Sequence, residues 1–345
     1  MQISSAPGAA APSTAARFLN RDRRRQQLGL ILLVLLLLLA IVVAVATGSV
    51  TTDFDTLIAV FSGAGSETER AIVFDLRLPR IAAAVFVGAG LALAGVQMQV
   101  LIRNPLADPY ILGVSGGAAV AALLAIILDF DGRGIEVSAA GGALFSMALV
   151  LFLGRGAGPW SSTRLLLTGV VVSAGWGAAI GLLLAIGPTE KLRGMLFWLM
   201  GDFSAARVSW LLVLIVVIGL VISLLLARSM NVLAVGRQQA AVLGLEVDRM
   251  RLVLYLLASI MTAMAVTVAG SIGFVGLVVP HLMRLVGGAD HRWVIPSSFL
   301  AGATLLVVAD TLARTIIAPQ QLPVGVLTAF AGVPIFLFLL WRGSR

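Results

Sequence analysis

Long apolar runs, each closed by a short cluster of Gly, Pro or charge, make up most of this chain. Most are longer than a strand and lack the polar stripe that a soluble surface helix shows. Runs at 28–47, 80–99, 112–128, 138–154 and 164–186 fill the first half, and runs at 208–227, 251–270, 274–287, 294–316 and 324–341 fill the second. At about 20 residues per crossing, the pattern predicts an all-α polytopic integral membrane protein with about ten transmembrane helices. A segment at 191–201 is amphipathic and too polar to cross.

Composition agrees with the pattern and leaves no room for a second, soluble domain. Hydrophobic residues make up 60% of 345 positions and charged residues 12%, where an average soluble domain carries about a quarter charged residues. The expected organisation is a basic N-terminal segment, 1–27, followed by a membrane domain, 28–345. Arg21, Arg23, Arg24 and Arg25 resemble the start of a signal peptide, and Ala44-Val45-Ala46 offers a cleavage-like site. The uncharged run from Gln26 to Thr52 is longer than a signal peptide's apolar core, however, so the segment is expected to be retained as a span.

Charge sets the orientation. With the N-terminus inside, the inner segments hold 16 arginines and 5 acids, and the outer segments 8 basic residues and 11 acids. That is +11 inside and −3 outside, which together make the +8 of the whole chain. The positive-inside rule then places both termini in the cytoplasm. The basic excess is thus accounted for by topology, and no nucleic-acid partner is expected. Lys191 is the only lysine, so no GxxxxGK[ST] phosphate loop exists, and any ATP must be bound by another subunit.

Candidate chemistry is sparse. Cysteine is absent, which removes disulfides and thiolate sites. His281 has no ligand partner at i+4 and His291 lies in a polar loop, so neither a metal site nor a cofactor is expected. Asp310 and Arg314 are the main intramembrane charges, and their spacing of four lets them pair. An ion-coupled secondary transporter, the alternative reading, would carry paired intramembrane acids, broken helices and inverted repeats, and none of these is legible. Gly169, Ser173, Gly177 and Gly181 recur every four residues in the fifth run, a stripe that admits a neighbouring helix or leaves room beside a pathway.

Several motifs are more specific. Arg77-Leu78-Pro79-Arg80 precedes the second run; Arg103-Asn104-Pro105-Leu106-Ala107-Asp108-Pro109 follows it, a rigid reversal because each proline restricts itself and its predecessor. Gly113-Val114-Ser115-Gly116-Gly117, the stretch from Gly270 to His281, and Leu322-Pro323-Val324-Gly325 complete the set. In this order the motifs resemble those of the FecCD family, permease subunits of ATP-driven, binding-protein-dependent importers for iron chelates, haem and cobalamin.

The resemblance implies a homodimer in the bacterial cytoplasmic membrane, two cytoplasmic ATPases and one outer substrate-binding protein. It places ATPase coupling in the polar segment 231–251, around Gln239, Ala240, Ala241 and Gly244. An acidic residue often precedes the Ala pair in related permeases, whereas this chain has Arg237, Gln238 and Gln239. An inner gate falls on Ser162 and Thr163, either of which also suits a helix N-cap, with the pathway continuing along Gly169, Ser173 and Gly177. Binding-protein docking falls on Arg77, Arg80 and Arg314, which have the simpler options of snorkelling or of pairing with Asp75 or Asp310. The scarcity of Tyr and His leans the cargo towards siderophore or cobalamin over haem.

Overall fold

A computed structural model describes residues 14–48, 54–155, 161–204, 206 and 208–343. The start of the basic N-terminal segment lies outside the described residues. Every regular element described is helical. In the first half these are α1 (Thr14–Ala46), α2 (Phe54–Phe61), α3 (Glu67–Ala71), α4 (Leu78–Ile102), α5 (Val114–Ile127), α6 (Gly132–Arg155), α7 (Ser162–Ile186) and α8 (Thr189–Met200). The second half holds α9 (Trp210–Leu225), α10 (Ala227–Val235), α11 (Arg237–Val242), α12 (Val247–Ala269), α13 (Val275–Gly287), α14 (His291–Thr315) and α15 (Val324–Gly343). Each of the ten apolar runs coincides with one of these helices, and the amphipathic segment is α8.

The helices are not ten equal crossings. Six are long and apolar enough to cross a membrane singly, and α9 and α10 form one further unit bent by 61°. Helix α5 has 14 residues and α13 has 13, about 20 Å each at 1.5 Å per residue, short of an apolar core of about 30 Å. Their starting points explain the shortfall. A Cβ on Gly276, in the first turn of α13, would meet Pro109 Cδ at 2.7 Å and the Leu91 carbonyl at 3.0 Å. Pro109 and Gly276 therefore sit level with the middle of α4. The chain leaves α4 at Arg103, dips back to that depth through Pro109 and there begins α5. The proline-bounded motif is thus the start of a re-entrant segment rather than a simple surface reversal.

Helix α4 is the hub. In the continuous helical stretch 67–102 that contains it, 83% of the most apolar window is buried, against 6% for α7. Its sequence, Arg80-Ile81-Ala82-Ala83-Ala84 through Gly88, Gly90 and Gly95, is built of small residues that let other backbones come close. A Cβ on Gly88 would overlap the Gly302 carbonyl of α14, and one on Gly95 would overlap the Gly276 carbonyl of α13. A six-residue π-helical stretch, Ile72–Arg77, leads into α4. Pro79, which has no N–H to donate, stands just after it, and this wider turn delivers Arg77 inwards.

At this end of α4 the charges are internal. Arg80 donates from Nε to Asp310 Oδ1 at 2.9 Å, and Arg314 Nε lies 3.1 Å from Asp310 Oδ2. Arg80 also donates to Gln321 Oε1 at 2.9 Å and lies 3.8 Å from Asp202. Arg77 donates to the Val45 carbonyl at 2.5 Å, and Arg314 to that of Ala44 at 3.3 Å. One carboxylate thus holds two buried guanidinia and joins α4 to α14, while backbone carbonyls of α1 take up further donors.

Two stability contrasts follow. Gly95→Val should drive α4 and α13 apart and cost about 1–3 kcal/mol or more, whereas Gly177→Ala, with nothing within 4 Å of its Cβ, should leave thermal unfolding in detergent unchanged. Asp310→Ala strands two buried cations and should cost about 3–5 kcal/mol. Asp129→Ala breaks only the partly exposed pair with Lys191 and should cost about 1 kcal/mol or less. Equal melting shifts for the two aspartates would refute the assigned weight of the buried cluster.

Candidate functional site

Helix α7 carries the gate and pathway candidates. Its N-cap is Ser161, whose hydroxyl accepts from the Arg164 N–H at 3.4 Å. The capping role therefore falls one residue before the two considered from sequence. Ser162 is the first helical residue, with a side chain outside the described set, and Thr163 is exposed. Along the stripe the environment changes: Gly169 is buried, Ser173 half-buried and Gly177 exposed. Spacing of four drifts about 40° per step around a helix of 3.6 residues per turn, so the stripe begins against the core and ends on an open face. That face also carries Gly175 and Gly181, each with nothing within 4 Å of a Cβ position.

Ser173 looks onto the meeting place of the two half-length helices. A cavity of about 430 Å³ lies there, lined by Asp108, Tyr110, Val170, Ser173, Gly273 and Phe274. Gly113 (φ 71°) and Phe274 (φ 70°) cap α5 and α13 in the left-handed region, which is costly for a bulky residue such as Phe. The junction is pinned by polar contacts. Tyr110 Oη accepts from the Ile272 N–H at 3.1 Å, Ser146 Oγ donates to the Gly113 carbonyl at 2.8 Å, and Trp176 Nε1–H of α7 donates to Ser146 Oγ at 2.8 Å. Ser173 Oγ has no hydrogen-bond partner. Sequence reasoning missed this junction, although the two Gly-rich motifs that build it were noted.

The coupling residues form a small exposed unit. Gly236 separates α10 from α11, and Gly244 (φ 81°) lets the chain turn into α12. Ala240 is buried, while Gln239, Ala241 and Gly244 are exposed. Val235, Val242 and Leu243 are 65%, 87% and 69% exposed, which leaves an apolar surface beside a polar segment.

The three arginines expected to face an outer partner do come together, but inside the protein. Arg77, Arg80 and Arg314 are 6%, 8% and 5% exposed, and their donors go to Asp310, Gln321 and carbonyls of α1 as described. They do not present guanidinium groups to solvent in this structure. The pairing with Asp310 was legible from spacing; Asp202 and Gln321 carried no signal. Ser66 and Glu69 form a capping box around α3.

Comparisons with known proteins bear on this geometry. A model of the FecCD transport family matches residues 35–342. The hemin transport system permease HmuU of Yersinia pestis is 44% identical over 279 residues, 79% of this chain and 83% of that protein. The cobalamin import system permease BtuC of Halobacterium salinarum is 43% identical over 279 residues, covering 79% and 74%. A solved structure described as a metal-chelate type ABC transporter in an inward-facing conformation superposes with a TM-score of 0.80 at 34% identity, over 91% of this chain and 98% of its own. PsaBC of Streptococcus pneumoniae, at 15% identity and a TM-score of 0.55, shares the fold. The broken helices that the alternative reading required are thus present in a chain whose relatives are ABC permeases. The chain belongs to the FecCD transport family and is a multi-pass ABC transporter permease.

Proposed function

We propose that this permease is the membrane subunit of an importer that carries a bulky metal chelate into the cytoplasm, powered by ATP hydrolysis on a separate subunit. The observation that carries the reading is the unit around α11: exposed, apolar at its tip, hinged at Gly244 and set at the end of a helix pair bent by 61°. Such a unit suits docking in a groove of a soluble partner. Segment 231–251 then couples to the ATPase, one copy per permease, and 1–27 lies on the same cytoplasmic side.

Two permeases pair about a twofold axis, with α7 facing it. Support comes from the uncovered face of that helix, where Gly175, Gly177 and Gly181 meet no neighbour. Gly169, Ser173 and Gly177 line part of the path, and Ser162 and Thr163 narrow its cytoplasmic end. A substrate-binding protein delivers cargo from outside the bacterial inner membrane. With Arg77, Arg80 and Arg314 buried, their part in docking is to hold the outer ends of α1, α4 and α14 in register rather than to touch the partner. The cargo is haem, cobalamin or an iron-siderophore. Relatives named for hemin and for cobalamin give haem more weight than the scarcity of His and Tyr had suggested.

Gly244→Val places a β-branched residue at positive φ in the exposed coupling unit. Coupling free energies of about 1–3 kcal/mol correspond to about 5–150-fold, so substrate-stimulated ATPase activity in reconstituted vesicles should fall about tenfold while the permease still folds. Full stimulation would remove this unit from coupling. On the cysteine-free background, Thr163→Cys should cross-link between two copies with a short bis-maleimide in at least one nucleotide state. No cross-linked pair in any state would exclude Thr163 from the gate.

A further inference from the structure

A cavity of about 660 Å³ opens where α4 ends, between α10 and the junction of α13 with α14, and its polar wall is Gln99, Arg103, Asn231, Arg284, Asp290 and His291. None of the ion pairs among the described residues involves Arg103 or Arg284. Arg284 is half-buried and donates to Gln99 Oε1, while the Gln99 amide is anchored on the carbonyls of Gly276 and Leu277 at 3.3 and 3.2 Å. A guanidinium has five N–H donors, so most of those on Arg284 remain to be used. The one carboxylate on the wall is already engaged, since Asp290 Oδ1 accepts from Asn231 Nδ2 at 2.8 Å and from the Arg292 N–H at 3.0 Å. His291 Nδ1–H donates to Asn231 Oδ1 at 2.6 Å, which leaves its buried Nε2 an acceptor without a partner, so His291 positions Asn231 and offers the cavity no donor. Two guanidinium groups outside any ion pair thus border the same space, with Asp290 as the single opposing charge on its wall.

We infer that this cavity binds a phosphate group, supplied by the headgroup of an anionic phospholipid or by free phosphate. Arginine forks match phosphate oxygens and make charge-assisted hydrogen bonds, and basic pockets between transmembrane helices accept anionic headgroups. The two arginines come from separate helices. A tetrahedral group with acceptors on every side can use both, where a flat carboxylate is less suited. Beside Arg284, Leu285 is 61% exposed, an aliphatic margin on which an acyl chain can lie. Assigning the lipid to the cytoplasmic leaflet rests on the proposed orientation; the donor set does not.

The test uses full-length permease, delipidated in detergent and supplied with short-chain phosphatidylglycerol, short-chain phosphatidylcholine or inorganic phosphate, with retained lipid counted by native mass spectrometry. Wild-type permease should retain phosphatidylglycerol over phosphatidylcholine. The double variant Arg103→Gln/Arg284→Gln should retain at least about tenfold less, since it removes both charged donor groups. Displacement by millimolar inorganic phosphate assigns the site to free phosphate, and resistance to displacement assigns it to the lipid. Arg103→Gln alone removes an exposed side chain and keeps the test readable if the double variant fails to fold. Equal retention by wild type and variants overturns the proposal. So does a variant that keeps its lipid but no longer binds the ATPase, which would make the arginines a seat for a partner's carboxylate. Retention is measured on the permease alone, so its failure is distinguishable from a failure of the import reading, which is scored by uptake and ATPase activity.

Discussion

Backbone-to-backbone proximity along α4 is the constraint from which the rest of the structure follows. Apolar side chains gain little by leaving lipid for a helix interface, so association depends on dispersion and on how closely backbones approach. Gly88 against Gly302 and Gly95 against Gly276 bring α14 and α13 into that range. Once Gly276 is fixed beside the middle of α4, α13 must start at that depth. The Pro109 turn packs on the same glycine, so α5 must start there too. The open cavity beside Ser173 is the space left where the two half-length helices meet.

Charge follows a second rule, that an ion leaving water must find partners. Arg77, Arg80 and Arg314 reach the edge of the apolar layer, yet each is turned inwards, towards Asp310, Gln321 or main-chain carbonyls. Such a cluster contributes less net stability than its number of contacts suggests, because desolvation offsets much of the attraction. Its effect is to specify which helix ends lie side by side. Arg103 and Arg284, at the other end of α4, lack that closure, and the two ends of one helix therefore differ in what they can still bind.

Much of this was legible in the sequence, for reasons that can be named. Hydropathy located all ten runs because lipid penalises every unsatisfied polar group, and the segment 191–201 stood out by the same test and is α8. The polar stretch 231–251 was legible as an excursion, and the ordered motifs identified the family. Depth was not legible. Apolar runs at 112–128 and 274–287 count as spans by composition, and only the contacts of Pro109 and Gly276 show that both start inside. Nor could arginine burial be read, because RLPR near an apolar run is compatible with a surface fork or with an inward turn. The structure shows the inward turn at both Arg77 and Arg80, whose partners on α1 and α14 are remote in sequence.

The two half-length helices bear on how the chain enters the membrane during synthesis. A segment that spans only part of the apolar layer, with a turn at mid-depth, exposes backbone groups that lipid cannot satisfy. Neither α5 nor α13 can therefore be handed to the bilayer by itself. Helix α5 has to leave the insertion machinery together with α4 or α6, and α13 with α14, so the insertion unit here is a helix pair. The turn at Pro109 is completed by Gly276, which is made more than 160 residues later. Until then the first half of the protein holds an unfinished internal surface, and that interval is when a membrane chaperone or a quality-control protease would meet it.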